Sequence, residues 1–94
     1  MSRYAQINDD EPAFFASNSG WSEVIDWTEN LPAKKCPNLI HLAEHGYSEN
    51  LPKLVKEIAV GLAISKPDDN VAKTLKELSD LLKDEAGIVM ITSG

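Results

Sequence analysis

Ile88-Val89-Met90-Ile91-Thr92 is the stretch that decides how this chain folds. It is β-branched and bounded by Gly87 and Gly94, so it reads as a strand and not as a continuation of the helical sequence before it. A strand alone leaves its backbone N–H and C=O groups without partners, and burial makes that costly. Within the chain the only expected partner is Tyr4-Ala5-Gln6-Ile7, which alternates weakly and is stopped by the polar run Asn8-Asp9-Asp10-Glu11. Pairing the two would tie the ends of the chain together. Without it, the C-terminal strand pairs with a second molecule or is a disordered tail.

Helical spacing fills the interval between those ends. Pro12 suits the first turn of a short helical segment through Phe14 and Phe15, and Ser17 to Gly20 reads as a loop. From Trp21 the chain follows a 3.6-residue period. Trp21, Val24, Ile25, Thr28 and Leu31 share one arc, Glu23, Asp26 and Glu29 share the other, and the helix ends before Pro32. A second helix runs from Pro37 to Gly46, with Leu39, Leu42 and Ala43 inward and Gly46 as a left-handed stop.

A third helix starts near Ser48 and carries Leu54, Val55, Ile58 and Leu62 as its stripe. Val60 and Ile64 fall on its far side, so its second half is expected to be buried on more than one face, with Gly61 admitting a close neighbour. Pro67 closes it. Asp68 or Asp69 caps a fourth helix that aligns Val71, Leu75, Leu78 and Leu82, with Leu81 at the margin. The tetrapeptide Glu29-Asn30-Leu31-Pro32 recurs as Glu49-Asn50-Leu51-Pro52, but the first copy closes a helix and the second opens one. It is reused boundary chemistry and not a structural repeat. The expected fold is therefore mainly α (α+β): a compact bundle of about four helices plus a short N-terminal helical turn, with a minor two-stranded sheet pairing the N- and C-terminal segments.

With 94 residues the chain has room for one core, so residues 1–94 are expected to form a single small globular domain. The net charge is −6, from 9 Lys+Arg against 15 Asp+Glu. That balance lacks the cationic footprint of a direct nucleic-acid binder and does not suit an anionic membrane surface. The longest apolar run, Ile58 to Ile64, is far shorter than the about 20 residues of a membrane span. A start without an apolar stretch, and a single cysteine, suit a cytoplasmic protein without disulfides. The charge is also uneven along the chain. Asp9, Asp10, Glu11, Glu23, Asp26 and Glu29 face only Arg3 in the first thirty residues, which also hold Tyr4, Phe14, Phe15, Trp21 and Trp27.

Chemistry-bearing motifs are few. His41-Leu42-Ala43-Glu44-His45 fits the H-x-x-E-H string of one class of zinc peptidases, in which two histidines one turn apart hold the metal and the glutamate acts as base. No further histidine exists to complete such a site, and helix geometry turns both rings to solvent, so surface histidines are the plainer reading. Cys36 follows Lys34 and Lys35 at a helix N-terminus, where both features favour thiolate, although no second cysteine or well-placed base accompanies it. Asn8 to Glu11 lacks the spacing of a calcium loop. Lys73 with Glu77, and Lys76 with Asp80, look like ordinary surface pairs.

The leading expectation is a small soluble acidic binding or regulatory module, with no cofactor, acting as a monomer or weak homodimer. It would engage a protein partner, plausibly basic, through Asp9, Asp10, Glu11, Glu23, Asp26, Trp27 and Glu29, with Trp27 either a core residue or an interface anchor. The alternative is a metal- or thiol-dependent enzyme, or a metal-binding protein, built on Cys36, His41 and His45, with Glu44 beside the histidines.

Overall fold

A computed structural model describes all residues from Met1 to Gly94. In chain order the elements are β1 (Ser2–Ile7), β2 (Ala13–Ser17), α1 (Asn18–Thr28), α2 (Pro37–His45), β3 (Tyr47–Ser48), α3 (Leu51–Ile64), α4 (Asp69–Leu82) and β4 (Val89–Ser93). The strands form one antiparallel sheet in the order β2-β1-β4-β3. The helices cover one face of it.

This overturns the expected bundle with a minor two-stranded sheet. Residues 4 to 7 do pair with 89 to 92, from Tyr4 opposite Thr92 to Ile7 opposite Val89, but as the middle of four strands. The segment after Pro12 is a strand and not a helical turn. Phe14 is 59% exposed and Phe15 only 4%, the two-sided pattern of a strand. A bulge between Arg3 and Tyr4 hides that alternation in the sequence, because it leaves Phe15 and Ala16 both buried. β3 was also unforeseen. It follows Gly46, whose φ of 79° turns the chain out of α2, and sets Tyr47 opposite Met90 and Ser48 opposite Val89.

The chain ends are held by more than the ladder. Asn8, itself left-handed at φ 54°, donates through Nδ2 to the Ala86 carbonyl at 2.9 Å and accepts at Oδ1 from the Ile88 N–H at 3.1 Å. Gly87 sits under this clasp at φ 110°, where an added Cβ would fall 2.1 Å from Asn8 Oδ1. Only glycine fits there.

Helix boundaries follow local chemistry. Ser17 caps α1 by accepting from the Gly20 N–H, Asn50 caps α3 through Lys53, and Asp68 caps α4 through Val71. The expected stripes of α2 and α4 are buried: Leu39, Leu42 and Ala43 in one, Val71, Leu75, Leu78 and Leu82 in the other. All of these but Ala43 join Trp21, Val24, Leu51, Leu54 and Ile58, with Ala5, Phe15 and Val89 from the sheet, in a single core. The second half of α3 is a correction. Val60 is 39% and Ile64 45% exposed, so only the Leu51, Leu54, Ile58 and Gly61 side is covered. Gly61 does admit a close neighbour, since its missing Cβ would lie 3.0 Å from the Trp27 ring. No helix is long and apolar enough to cross a membrane.

Candidate functional site

The acidic residues of the first third separate into two groups. Asp9, Asp10 and Glu11 form the exposed turn between β1 and β2, and Glu23, Asp26 and Glu29 project outward along and just beyond α1. None has a cationic partner, because the only ion pair within 4.0 Å joins His45 to Glu44 at 3.8 Å. The surface pairs expected between Lys73 and Glu77 and between Lys76 and Asp80 are not formed. Trp27 does not stand with these acids. It is 8% exposed, and its indole Nε1 donates to the Ser65 carbonyl at 2.7 Å, which pins the end of α1 to the end of α3. In this chain it is a core residue.

Cys36 is fully buried, and its thiol points at the Glu57 carbonyl at 3.7 Å. Burial pushes the thiol above its ordinary pKa, the Glu57 carboxylate adds to the rise, and Lys35 opposes it more weakly. The helix N-terminus that was expected to favour thiolate is already occupied. Glu57, 7% exposed, accepts at Oε1 from the backbone N–H groups of Asn38 at 2.7 Å and Leu39 at 2.9 Å, and at Oε2 from the Asn38 side chain. A carboxylate from α3 thus caps α2, whose own N-cap residue Cys36 makes no side-chain cap bond. The inward stripe of α3 includes this charge, which a purely apolar reading of that helix passes over.

His41 and His45 lie on the outer side of α2, as helix geometry requires, with ring centroids 4.6 Å apart. His41 Nδ1 is 3.0 Å from the Tyr47 carbonyl, and its ring meets the Tyr47 ring edge-on at 4.8 Å. Neither histidine bonds to Cys36, and no group of three His, Cys, Asp or Glu side chains is arranged to hold a metal ion. A recess of about 200 Å³ is lined by Asn38, His41, Tyr47, Ser48 and Glu49. The Ser48 hydroxyl there is 2% exposed by residue and has no hydrogen-bond partner, so no base activates it.

One surface escaped the sequence reading entirely. On the side of the sheet away from the helices, two rows of side chains cross the strands: Phe14, Tyr4 and Thr92, then Gln6, Met90 and Tyr47. Phe14 is 59%, Met90 49% and Tyr47 37% exposed, and the Tyr4 and Phe14 rings meet edge-on at 5.9 Å. An antiparallel sheet with one wet face ordinarily turns polar side chains to water. Here four of the six are apolar or aromatic, and the edge-on contact of Tyr47 with His41 extends the surface onto α2. Its signal in the sequence is alternation within β1 and β4, visible only once their inward partners Ala5, Ile7, Val89 and Ile91 are known.

Compared with known proteins, the chain matches no family model, no curated protein and no solved structure.

Proposed function

We propose that this chain is a small, acidic, cytoplasmic protein-binding or regulatory module that engages a basic protein through its N-terminal third. One observation supports the reading above the others. Six carboxylates, at Asp9, Asp10, Glu11, Glu23, Asp26 and Glu29, are exposed and unpaired, although the chain carries eight lysines. Exposed carboxylates free of internal partners steer a cationic surface and favour it on contact. The elements that carry them are fixed from behind: α1 by Trp21, Val24 and Trp27 in the core, and the turn by the β1–β2 pairing. A free, buried thiol suits a reducing compartment.

The test is capture from extract of the source cell by the immobilised protein, with the partner identified by mass spectrometry. A basic protein is expected, with retention that falls between about 50 and 300 mM salt, over which the screening length shortens by about half. Retention should also drop when the two acidic groups are neutralised together as Asp9→Asn, Asp10→Asn, Glu11→Gln, Glu23→Gln, Asp26→Asn and Glu29→Gln. A partner retained equally by that variant would overturn it.

A further inference from the structure

We infer that the open face of the sheet is the docking surface of this module, and that its occupant is an amphipathic protein helix with an apolar stripe flanked by lysine or arginine. The inference rests on the proposed binding function and narrows where and how binding occurs. Three observations carry it.

First, the face is uncharged at its centre. Tyr4, Gln6, Phe14, Tyr47, Met90 and Thr92 bear no formal charge, and Arg3, the sole charged residue in any strand, shares the side of β1 that carries buried Ala5. All eight lysines belong to the helices and their connections. Second, the rim is acidic. Gln6, on the open face, donates through Nε2 to the Asp10 carbonyl at 3.2 Å, which fastens the Asp9 to Glu11 turn to the margin of this face. Across the sheet, Glu49 stands beside Tyr47 at the lip of the recess there. Ile7 and Ser48 are both level with Val89, so Glu49 and the turn lie at one end of the strands, and an apolar floor bordered there by carboxylates is complementary to an apolar stripe bordered by cations. Third, the dimensions agree. Four strands about 4.8 Å apart span roughly 14 Å, enough for one helix about 10 Å across. The incoming helix would complete a three-layer packing in which the sheet is covered on both faces.

Glu23, Asp26 and Glu29 are excluded from this contact. They project from α1, which packs against α4, α2 and the covered face of the sheet. Their part is long-range steering, whereas the Asp9 to Glu11 turn touches the partner.

The experiment titrates the isotope-labelled full chain with a synthetic leucine–lysine amphipathic helix, using a leucine–glutamate helix of the same pattern as the control. Saturable shifts are expected at the Met90 methyl and at Tyr4, Phe14 and Tyr47. The dissociation constant should rise about tenfold or more in Phe14→Ser, the loss typical of removing a central anchor. Met90→Ser should behave likewise and serves as the second variant if the first fails to fold. Neutralising Asp9, Asp10 and Glu11 should weaken binding about threefold or more, and neutralising Glu23, Asp26 and Glu29 by less than that.

Shifts confined to α1, with loss only in the α1 variant, overturn the docking face and leave the basic-partner reading standing. Equal binding of the leucine–glutamate helix overturns both. Dilution-dependent shifts at the same face without peptide identify a second copy as its occupant and overturn the heterologous partner.

Discussion

Phe14 and Phe15 are neighbours in sequence and opposites in the molecule. Phe15 faces the helices, 4% exposed, with its ring edge-on to Trp21 at 5.4 Å; Phe14 faces water, 59% exposed, with only the Tyr4 ring at its side. The same division runs across the sheet. One face supplies Ala5, Phe15 and Val89 to the core, and the other presents exposed Phe14, Met90 and Tyr47 around a half-buried Tyr4. Burial explains the first set through the free energy of removing apolar surface from water. It does not explain the second, where Phe14, Met90 and Tyr47 stay exposed to water. Under the proposed function, stability and recognition fall on opposite sides of the same strands.

The sharpest way to break that division is from the covered side. Phe15→Ala removes a buried aromatic ring and should cost about 3–5 kcal/mol in denaturant unfolding; a cost under about 1 kcal/mol would show that the covered face is not where stability lies. Glu57→Leu comes next. It strands the N–H groups of Asn38 and Leu39 at the start of α2, and a loss of about 2–4 kcal/mol is expected from one half-buried and one buried donor left unpaired. An unchanged midpoint would mean that water serves them instead.

Cys36 gives a smaller, pH-dependent effect. Its folded pKa is raised, so the unfolded thiol ionises first and the folded state holds the proton longer. The stability this contributes is full below the unfolded value and is lost as pH rises through the folded one. Wild type should therefore lose stability above about pH 9 more steeply than Cys36→Ala, measured as the difference between their unfolding midpoints from pH 7 to 10. Parallel curves would remove the burial effect.

Much of the helical layer was legible in the residues. Pro37 and Gly46 bound α2, Asp68 caps α4, and the Val71 to Leu82 stripe faces inward because a 3.6-residue period leaves no other arrangement. The C-terminal strand was legible too, and its need for backbone partners pointed to residues 4 to 7. What failed depended on contacts distant in sequence. β2 was masked by a bulge that places Phe15 and Ala16 on one side, and β3, with two residues, has no period to read. The exposed end of α3 could not be separated from a buried one by hydropathy, because Val60 and Ile64 look alike in either setting.

The candidate site was less legible than the fold. The acids lie on the surface as expected, but Trp27 went to the core, Cys36 was buried with its thiol on the Glu57 backbone carbonyl and its pKa raised chiefly by that burial, and the open sheet face emerged only from register. One clue to Glu57 was available. Cys36 cannot cap a helix well, so α2 needed an acceptor from elsewhere, and a glutamate one turn from both Leu54 and Gly61 was in position to supply it.

The most direct test of the division between the two faces is one protein measured twice: Phe14→Ser, by thermal unfolding and by titration with the leucine–lysine helix. Unfolding is expected within roughly 1.5 kcal/mol of wild type, the scale of one aromatic pair, together with a dissociation constant raised about tenfold. Loss of stability comparable to Phe15→Ala, or binding indistinguishable from wild type, would contradict it.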